Sequence, residues 1–570
     1  MKNIVTAPPS GTATYRYNAE DNIYEAAAQY EFGYKDANAT EERLYQLIRA
    51  AQDRSLHSPE LRRKGTDWPT YYHLTPLRAN IVRPFRDRIA GGSVLELGAG
   101  CGAITRYLGE QGGKVTALEG SRSRARVIGS RCADLPGVRV YCDLIQNFAL
   151  EEKFDIVTLI GVLEYAQVYI EAPNPIATML HHARRFLKPG GLLLVAIENQ
   201  LGLKYFAGSP EDHLGRPMYG INDSYGKTTP ITFGRRELLG HIHRAGFLSS
   251  QVYLPFPDYK TPVSVIYPAG HDLDRAPAEW NPGTIAAGSV VHDRQRTPAP
   301  AFSQEMAWHV VARNGLIADL ANSFLIVASD SEAPILPEHA DHLASHYGAD
   351  RPFELAKETQ FLNQQGRVSA RTHTNASSET AWNTEQYEAG TVWFDELLRC
   401  MNRPNWNVGH LVDWARPWRA ALLEQARQNP ETKPEAAFAH FPHQLPGKYI
   451  DATPTNWIAR PDGSHAFIDL EWEVPFALPL EFIAFRGVFL TIHRVTNCCQ
   501  PAADTPTNIG LLTMQVLRGL DMPIEPQDMD NFLTLFNSFQ NVAAGAPDTV
   551  LSPLTVAIQK AHLPTRRIYS

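Results

Sequence analysis

The sequence predicts an α/β chain, with a parallel sheet wound by helices in its first half and a separate α+β module towards the C-terminus. Three observations carry this expectation. Short apolar runs alternate with helical stretches from Ser93 to about Tyr267. A proline-rich, irregular passage (YPAGHDLDRAPAEWNPG, then RQRTPAPA) follows between about 268 and 305. The remainder carries its own dense motif near 446–473, and 570 residues exceed what a single hydrophobic core organises.

Residues 1–90 are expected to form a helical N-terminal segment. They are polar up to about residue 20, and from Glu20 to about Arg88 apolar positions such as Leu44, Leu47 and Ile48 recur at helical spacing. The stretch DWPTYYHLTPLRANIVRPF closes the segment and offers Tyr72, His73 and Arg78 to a site in the next domain. Residues 91–270 hold strands at 93–97, 114–118, 138–142, 154–160 and 191–197, each ending in a polar or glycine-rich turn that leads to a helix. Residues 271–350 read as a linker and connecting segment that contains one apolar run, FLIVA. Residues 351–570 read as the last module, opening with the hairpin-like ETQFLNQQGRVSARTHT.

Composition narrows the function classes. Hydrophobic residues at 44% and charged residues at 20% give a globular rather than a disordered balance. A net charge of −8 without a long basic run argues against nucleic acid as a partner. The cysteines, Cys101, Cys132, Cys142, Cys400, Cys498 and Cys499, form no CxxC pair, so neither a zinc site nor a disulfide framework is expected. With no apolar signal core at the start and no stretch of about 18 apolar residues, the chain reads as cytoplasmic, with no membrane span.

The chemistry begins where VLEL runs into Gly98, Gly100 and Gly102. Such a turn bends sharply at the head of a helix and lets a ligand lie against backbone that side chains would otherwise cover. The second strand, KVTALEG, ends in Glu119, placed to accept ribose hydroxyls, and Asp143 follows the third strand where an adenine amino group would lie. The fourth strand lies in FDIVTLIGVLEY, and a helix, a Pro-Gly-Gly turn and a strand follow in RRFLKPGGLLLVAIEN.

In order, ELGAGCG, an acidic end to the second strand, FDIV and LKPGGLLLV resemble the class I S-adenosylmethionine-dependent methyltransferases. The resemblance implies a Rossmann-like, seven-stranded sheet with the cofactor across the carboxyl ends of its first strands. Glu96 and the Gly98–Gly102 turn would lie near the methionine part, Glu119 at the ribose and Asp143 at the adenine. Methyl transfer needs no metal in principle, and none is expected in this domain. A hydroxyl acceptor does need a base to take its proton. The loop IENQLGLKYFAGSPEDHLGRPMYGINDSY concentrates Glu198, Asn199, Lys204, Tyr205, Glu211, Asp212 and His213 at the ligand-binding end of the sheet. His213 is the base expected there, oriented by Asp212 or Glu211. The alternative is that these residues are surface polarity or structural caps.

A second motif, LPGKYIDATPTNWIARPDGSHAFIDLEWE, sets Asp451, Asn456 and Asp469 at the spacing of a carboxylate base and two metal ligands, with Glu471 nearby. It resembles the catalytic loop and metal-binding aspartate of protein-kinase-like and aminoglycoside-phosphotransferase folds, which implies ATP with magnesium. The departures are the absence of a glycine-rich phosphate loop, no obvious lysine after the hairpin, with Lys357 and Arg371 as unranked substitutes, and Tyr449 and Ile450 where the family has His or Arg ahead of Asp451. These departures predict no phosphotransfer. Finally YYHLTPLRAN, IENQLGLKYF, EDH and ANSFLIV are similar to methyltransferases found among bacterial surface-glycan assembly proteins. That resemblance implies O-methylation of a sugar or glycan hydroxyl, and glycan-assembly proteins as partners. Two rivals stand beside it: a bifunctional kinase-methyltransferase acting on a glycan end, and a methyltransferase whose C-terminal module is a non-catalytic scaffold.

Overall fold

The computed structural model describes residues 15–26, 38–375, 382–429, 433–546 and 549–566. They belong to two units, one of Met1–Phe206, Pro210–Pro277 and Asn314–Thr384, the other of Ala207–Ser209, Ala278–Arg313 and Glu385–Ser570.

The first unit opens with a departure from expectation. Residues Tyr15–Asn18 (β1) and Ile23–Ala26 (β2) form an antiparallel hairpin rather than a helix. Tyr15 and Tyr17 stand at alternate positions, the period of a strand, and Tyr17 pairs with Tyr24 of β2 across the ladder at 5.1 Å between ring centroids. The helical period found in the sequence begins at Asn38, in the helix Asn38–Ala50 that buries Leu44 and Ile48.

Strands Ser93–Leu97 (β3), Lys114–Glu119 (β4), Val138–Cys142 (β5), Phe154–Ile160 (β6) and Leu187–Glu198 (β7) pair in parallel. Every residue of β3 is buried, as a central strand covered on both faces requires. Ser249–Phe256 (β8), Ser264–Ile266 (β9) and Ser323–Ser329 (β10) follow, and β10 inserts antiparallel between β7 and β8. The order β5-β4-β3-β6-β7-β10-β8 is Rossmann-like with one reversed strand. It is not a separate seven-stranded sheet as expected but a run within a 14-stranded mixed sheet, which the β1–β2 hairpin extends through a parallel pairing of β2 with β5.

The FLIVA run therefore belongs to the sheet, not to a connector between domains. All seven residues of β10, which contains the run, are buried, and an apolar strand of that length is satisfied only between two partners. The sheet continues through β9 into His342–Gly348 (β11), Lys357–Gln364 (β12) and Arg367–Thr374 (β13). The hairpin assigned from sequence to the kinase-like module is β12–β13, and it lies in the first unit. Arg371, weighed as a phosphate ligand, instead donates to Gln360 and stacks over Trp382 at 4.6 Å.

The second unit is built mainly of helices, Val408–Gln428, Leu480–His493, Ile509–Gly519 and Pro526–Ala544, around a core that includes Trp406, Trp418, Phe485 and Phe532. A small sheet joins Trp457–Ala459 to His465–Phe467 across the PDG turn. Among the described residues, no helix is long and apolar enough to cross a membrane.

Candidate functional site

The glycine turn leaves β3 with Gly98, Gly100 and Gly102 all left-handed, at φ +74°, +58° and +75°. The three serve different ends. A Cβ on Gly98 would come 2.6 Å from Val162 Cγ2, and one on Gly102 would come 3.2 Å from Ile128 Cγ2, so both make room for packing. A Cβ on Gly100 would meet no atom within 4 Å, so Gly100 faces open space at the head of helix Ala103–Glu110. Glu119 closes the other side. Its Oε2 accepts the Gly100 N–H at 2.8 Å and its Oε1 accepts the Ser121 N–H at 2.9 Å. Each carboxylate oxygen keeps a second lone pair, so the buried Glu119 can brace the turn and still accept a pair of hydroxyls. This open backbone cradle beside a carboxylate fits a nucleoside-bearing ligand such as S-adenosylmethionine.

Asp143 is buried at the end of β5, where its Oδ1 accepts the Leu144 N–H at 2.8 Å and its Oδ2 accepts the Tyr15 hydroxyl at 2.7 Å. Burial raises the Asp143 pKa, and these hydrogen bonds oppose the rise. The N-terminal hairpin thus brings Tyr15 to the site, which the sequence did not single out.

Glu96 lies under the turn, and its Oε2 accepts the Thr105 hydroxyl at 2.6 Å. Burial pushes its pKa from 4.5 up to about 7. The folded state therefore holds this proton longer than the unfolded chain, and stability is lost as pH rises between about 4.5 and 7. For the ligand-free protein, Glu96→Gln is expected to match wild type near pH 4.5 and to exceed it above pH 7 by up to about 3 kcal/mol. Urea unfolding at pH 5 and pH 8 measures this, and equal stabilities at pH 8 would contradict it.

At the carboxyl ends of β6 and β7 the polar side chains singled out in this loop, Glu198, Asn199, Lys204, Tyr205, Glu211, Asp212 and His213, are buried, although much of the loop around them is exposed. Lys204 reaches Asp212 at 3.1 Å and Asp258 at 2.9 Å. Lys260 reaches Asp212 at 3.0 Å and also pairs closely with Glu198. Asp212 further accepts the Tyr205 hydroxyl, so it is occupied by the lysines and the tyrosine rather than by His213. The residue that orients His213 is Glu211, whose Oε1 lies 2.8 Å from Nδ1 and whose Oε2 accepts the His213 and Leu214 N–H groups.

The far face of the imidazole looks at two more carboxylates, with Nε2 3.8 Å from Glu164 Oε1 and 3.9 Å from Glu198 Oε2. Against the desolvation that opposes it, Glu198, Glu164 and Glu211 push the His213 pKa up to about 11. At neutral pH the ring is thus charged and already holds the proton that a base would have to accept. Sequence reasoning passed over Glu164, although it stands in the GVLEY that ends the fourth strand, and over Asp258 and Lys260, which lie far along the chain. Of the upstream candidates, Arg78 is buried over the Tyr72 ring at 4.2 Å and donates to the Lys260 carbonyl, while the His73 carbonyl accepts from Arg131.

In the second unit, Asn456 Nδ2 donates to the Asp451 carbonyl at 3.0 Å and sits 3.4 Å from Asp451 Oδ2. The Ile468 N–H, next in sequence to Asp469, donates to the Asn456 carbonyl at 2.9 Å. Asp451 Oδ1, however, accepts Arg486 Nη1 at 2.7 Å, and that buried guanidinium also holds the Ile450 carbonyl.

Residues 95–193 match a family described as a methyltransferase domain. Over 133 residues the chain is 26% identical to the ubiquinone biosynthesis O-methyltransferase of Proteus mirabilis, which covers 23% of this chain and 51% of that protein. The Pseudomonas aeruginosa protein of the same name is 28% identical over 142 residues, 24% of this chain and 57% of its own length. The chain thus spans about half the length of the curated relatives it matches. Similar solved structures include a S-adenosylmethionine-dependent methyltransferase of Archaeoglobus fulgidus, 14% identical over 44% of this chain and 92% of that one, with a TM-score of 0.27. Phosphoethanolamine N-methyltransferase 2 of Haemonchus contortus with S-adenosyl-L-methionine is 14% identical over 53% and 62%, with a TM-score of 0.30. Residues 95–193 of the first unit thus match a methyltransferase domain, and they lie on an α/β Rossmann-like sheet.

Proposed function

We propose that the chain moves the methyl group of S-adenosylmethionine to a hydroxyl oxygen of a small-molecule or glycan acceptor. The observation that carries this reading is the Gly100 cradle, open on one side and walled by Glu119. Gly98, Gly100 and Gly102 would hold the cofactor by their backbone, Glu119 its ribose, Asp143 its adenine and Glu96 its methionine end. The bound cofactor would supply an electrophilic methyl group and leave as S-adenosylhomocysteine, while the protein aligns the acceptor oxygen with that group. The hydroxyl proton, which the charged His213 is not free to take, would pass to water. An oxygen acceptor agrees with the O-methyltransferase names of the relatives, and a sugar or glycan hydroxyl with the resemblance to surface-glycan methyltransferases. Purified chain with methyl-labelled cofactor and matched panels of glycan fragments and phenols tests both. We expect label on hydroxyl oxygen of a glycan fragment. Label confined to phenols would replace the glycan, and label on nitrogen would overturn oxygen transfer.

For the second unit, we propose that it binds rather than phosphorylates, because Arg486 takes the carboxylate that would have to serve as base. ATP with magnesium is expected to leave the melting temperature unchanged. A magnesium-dependent rise that vanishes in Asp469→Ala would restore the phosphotransfer reading.

A further inference from the structure

We propose that Glu164, Glu198 and His213 form a binding site for one divalent transition-metal cation, a site not expected from the sequence. One donor atom from each lies within 4.8 Å of the other two. A cation with bonds of about 2.0–2.2 Å spans donor atoms up to about 4 Å apart, so small side-chain shifts close the set. The separations of 3.8 and 3.9 Å from His213 Nε2 to the two carboxylates are too long for hydrogen bonds and suit ligands on either side of an ion.

Acidic residues alone would not make a site; the orphaned oxygens do. Glu164 is 1% and Glu198 0% exposed, and the Oε2 of each has no hydrogen-bond partner among the described residues. A buried carboxylate oxygen without a donor is strongly disfavoured unless something positive meets it. Glu198 Oε1 already holds Lys260, and its Oε2 is the atom turned to His213.

The imidazole is set up as a ligand. Glu211 can only accept in its bond to Nδ1, so Nδ1 carries the proton. Once a cation displaces any proton on Nε2, that nitrogen presents a lone pair to the two glutamates. A carboxylate behind a histidine in this way fixes the ring and raises its basicity towards a metal. Charge points the same way: five carboxylates, Glu164, Glu198, Glu211, Asp212 and Asp258, share this buried region with three positive partners, Lys204, Lys260 and the His213 ring, among the ion pairs described. One imidazole with two carboxylates suits the manganese-to-zinc series, and three protein ligands leave open positions for water or an oxygen of the acceptor. The last clause rests on the proposed methyl transfer; the cation site itself does not.

The test uses the full chain stripped with a chelator, with Mn²⁺ and Zn²⁺ as probes and no acceptor present. Mn²⁺ paramagnetic resonance and calorimetry are expected to show one equivalent bound per chain and a higher melting temperature. Glu164→Gln, nearly isosteric, is expected to weaken binding at least 100-fold and remove that rise. Glu211→Gln, which touches no cation, should weaken binding about 10- to 100-fold through the ring it positions. Near-ultraviolet circular dichroism checks that each variant is folded. Absence of a bound equivalent with either ion in wild type, or undiminished binding in folded Glu164→Gln, overturns the site. S-adenosylhomocysteine titration of the wild type runs separately, so failure of the cation site and failure of the methyltransferase reading give different results.

Discussion

Gly100→Val is expected to weaken S-adenosylhomocysteine binding by about 10²- to 10³-fold, roughly 3–4 kcal/mol. Part of the loss is backbone strain. Gly100 sits at φ +58°, and a β-branched residue held in the left-handed region costs about 1–3 kcal/mol. The rest comes from the side chain, which enters the open space over the turn and holds the ligand off the backbone. Since a Cβ there meets no protein atom within 4 Å, the variant folds without a clash, and the effect falls on binding rather than on packing. Glu119→Ala is the companion variant. It frees the Gly100 and Ser121 N–H groups and deletes the acceptor proposed for the ribose, with charge-assisted bonds worth about 1.5–3 kcal/mol each. Calorimetry on the folded variants decides the matter. Wild-type affinity in Gly100→Val would mean that the cofactor does not lie against this turn.

The parallel half of the sheet was legible because it depends on local pattern. Apolar runs that end in polar or glycine-bearing turns recur from Ser93 onward, and three of the four parallel pairings, β3–β4, β4–β5 and β6–β7, join neighbours in that series, with β3–β6 the crossover. The reversed strand β10 was visible as FLIVA but not as part of this sheet. Its partners Glu198 and Tyr253 lie far upstream, and periodicity carries no information about pairing across such a distance. The hairpin β12–β13 was misplaced for the same reason, since a two-stranded pattern does not say which sheet edge it joins. At the N-terminus the helical pattern read from Glu20 onward starts only at Asn38, and before it Tyr15 and Tyr17 at alternate positions and the left-handed Asn22 mark a hairpin.

The site divides along the same line. Gly98, Gly100, Gly102, Glu119 and Asp143 could be named because each is tied to the end of a recognisable strand. His213 could be named because it stands in a dense polar loop, but its surroundings could not. Its orienting partner is Glu211, two residues away, and Asp212 between them is turned to Lys204 and Lys260. Which neighbour of a loop histidine faces it depends on backbone turns that composition does not encode. Glu164 and Glu198 come to the ring from the ends of two different strands, so their convergence is a property of the sheet. Arg486, which occupies Asp451, lies 35 residues beyond it on another helix and was equally out of reach.

His213→Ala is expected to destabilise the metal-free protein by about 3–5 kcal/mol at pH 6, because it removes the positive partner of three buried carboxylates. The pH dependence fixes the cause. The folded pKa of His213, about 11, lies above the 6.5 of the free side chain, so its contribution is complete below about pH 6.5. It is then lost as pH rises towards 11, at up to about 1.4 kcal/mol per pH unit. Wild type should therefore lose stability across this window while His213→Ala does not, and the gap between them should narrow with rising pH. Adding Glu164→Gln to His213→Ala should recover part of the loss, since one of the abandoned charges is gone, and a double-mutant cycle reads that coupling directly. Urea unfolding of chelator-treated protein at pH 6, 7.5 and 9 gives all of these quantities. A constant gap across the three pH values would show that alanine damages packing alone, and that Glu164, Glu198 and Glu211 are not held together by the charge on this ring.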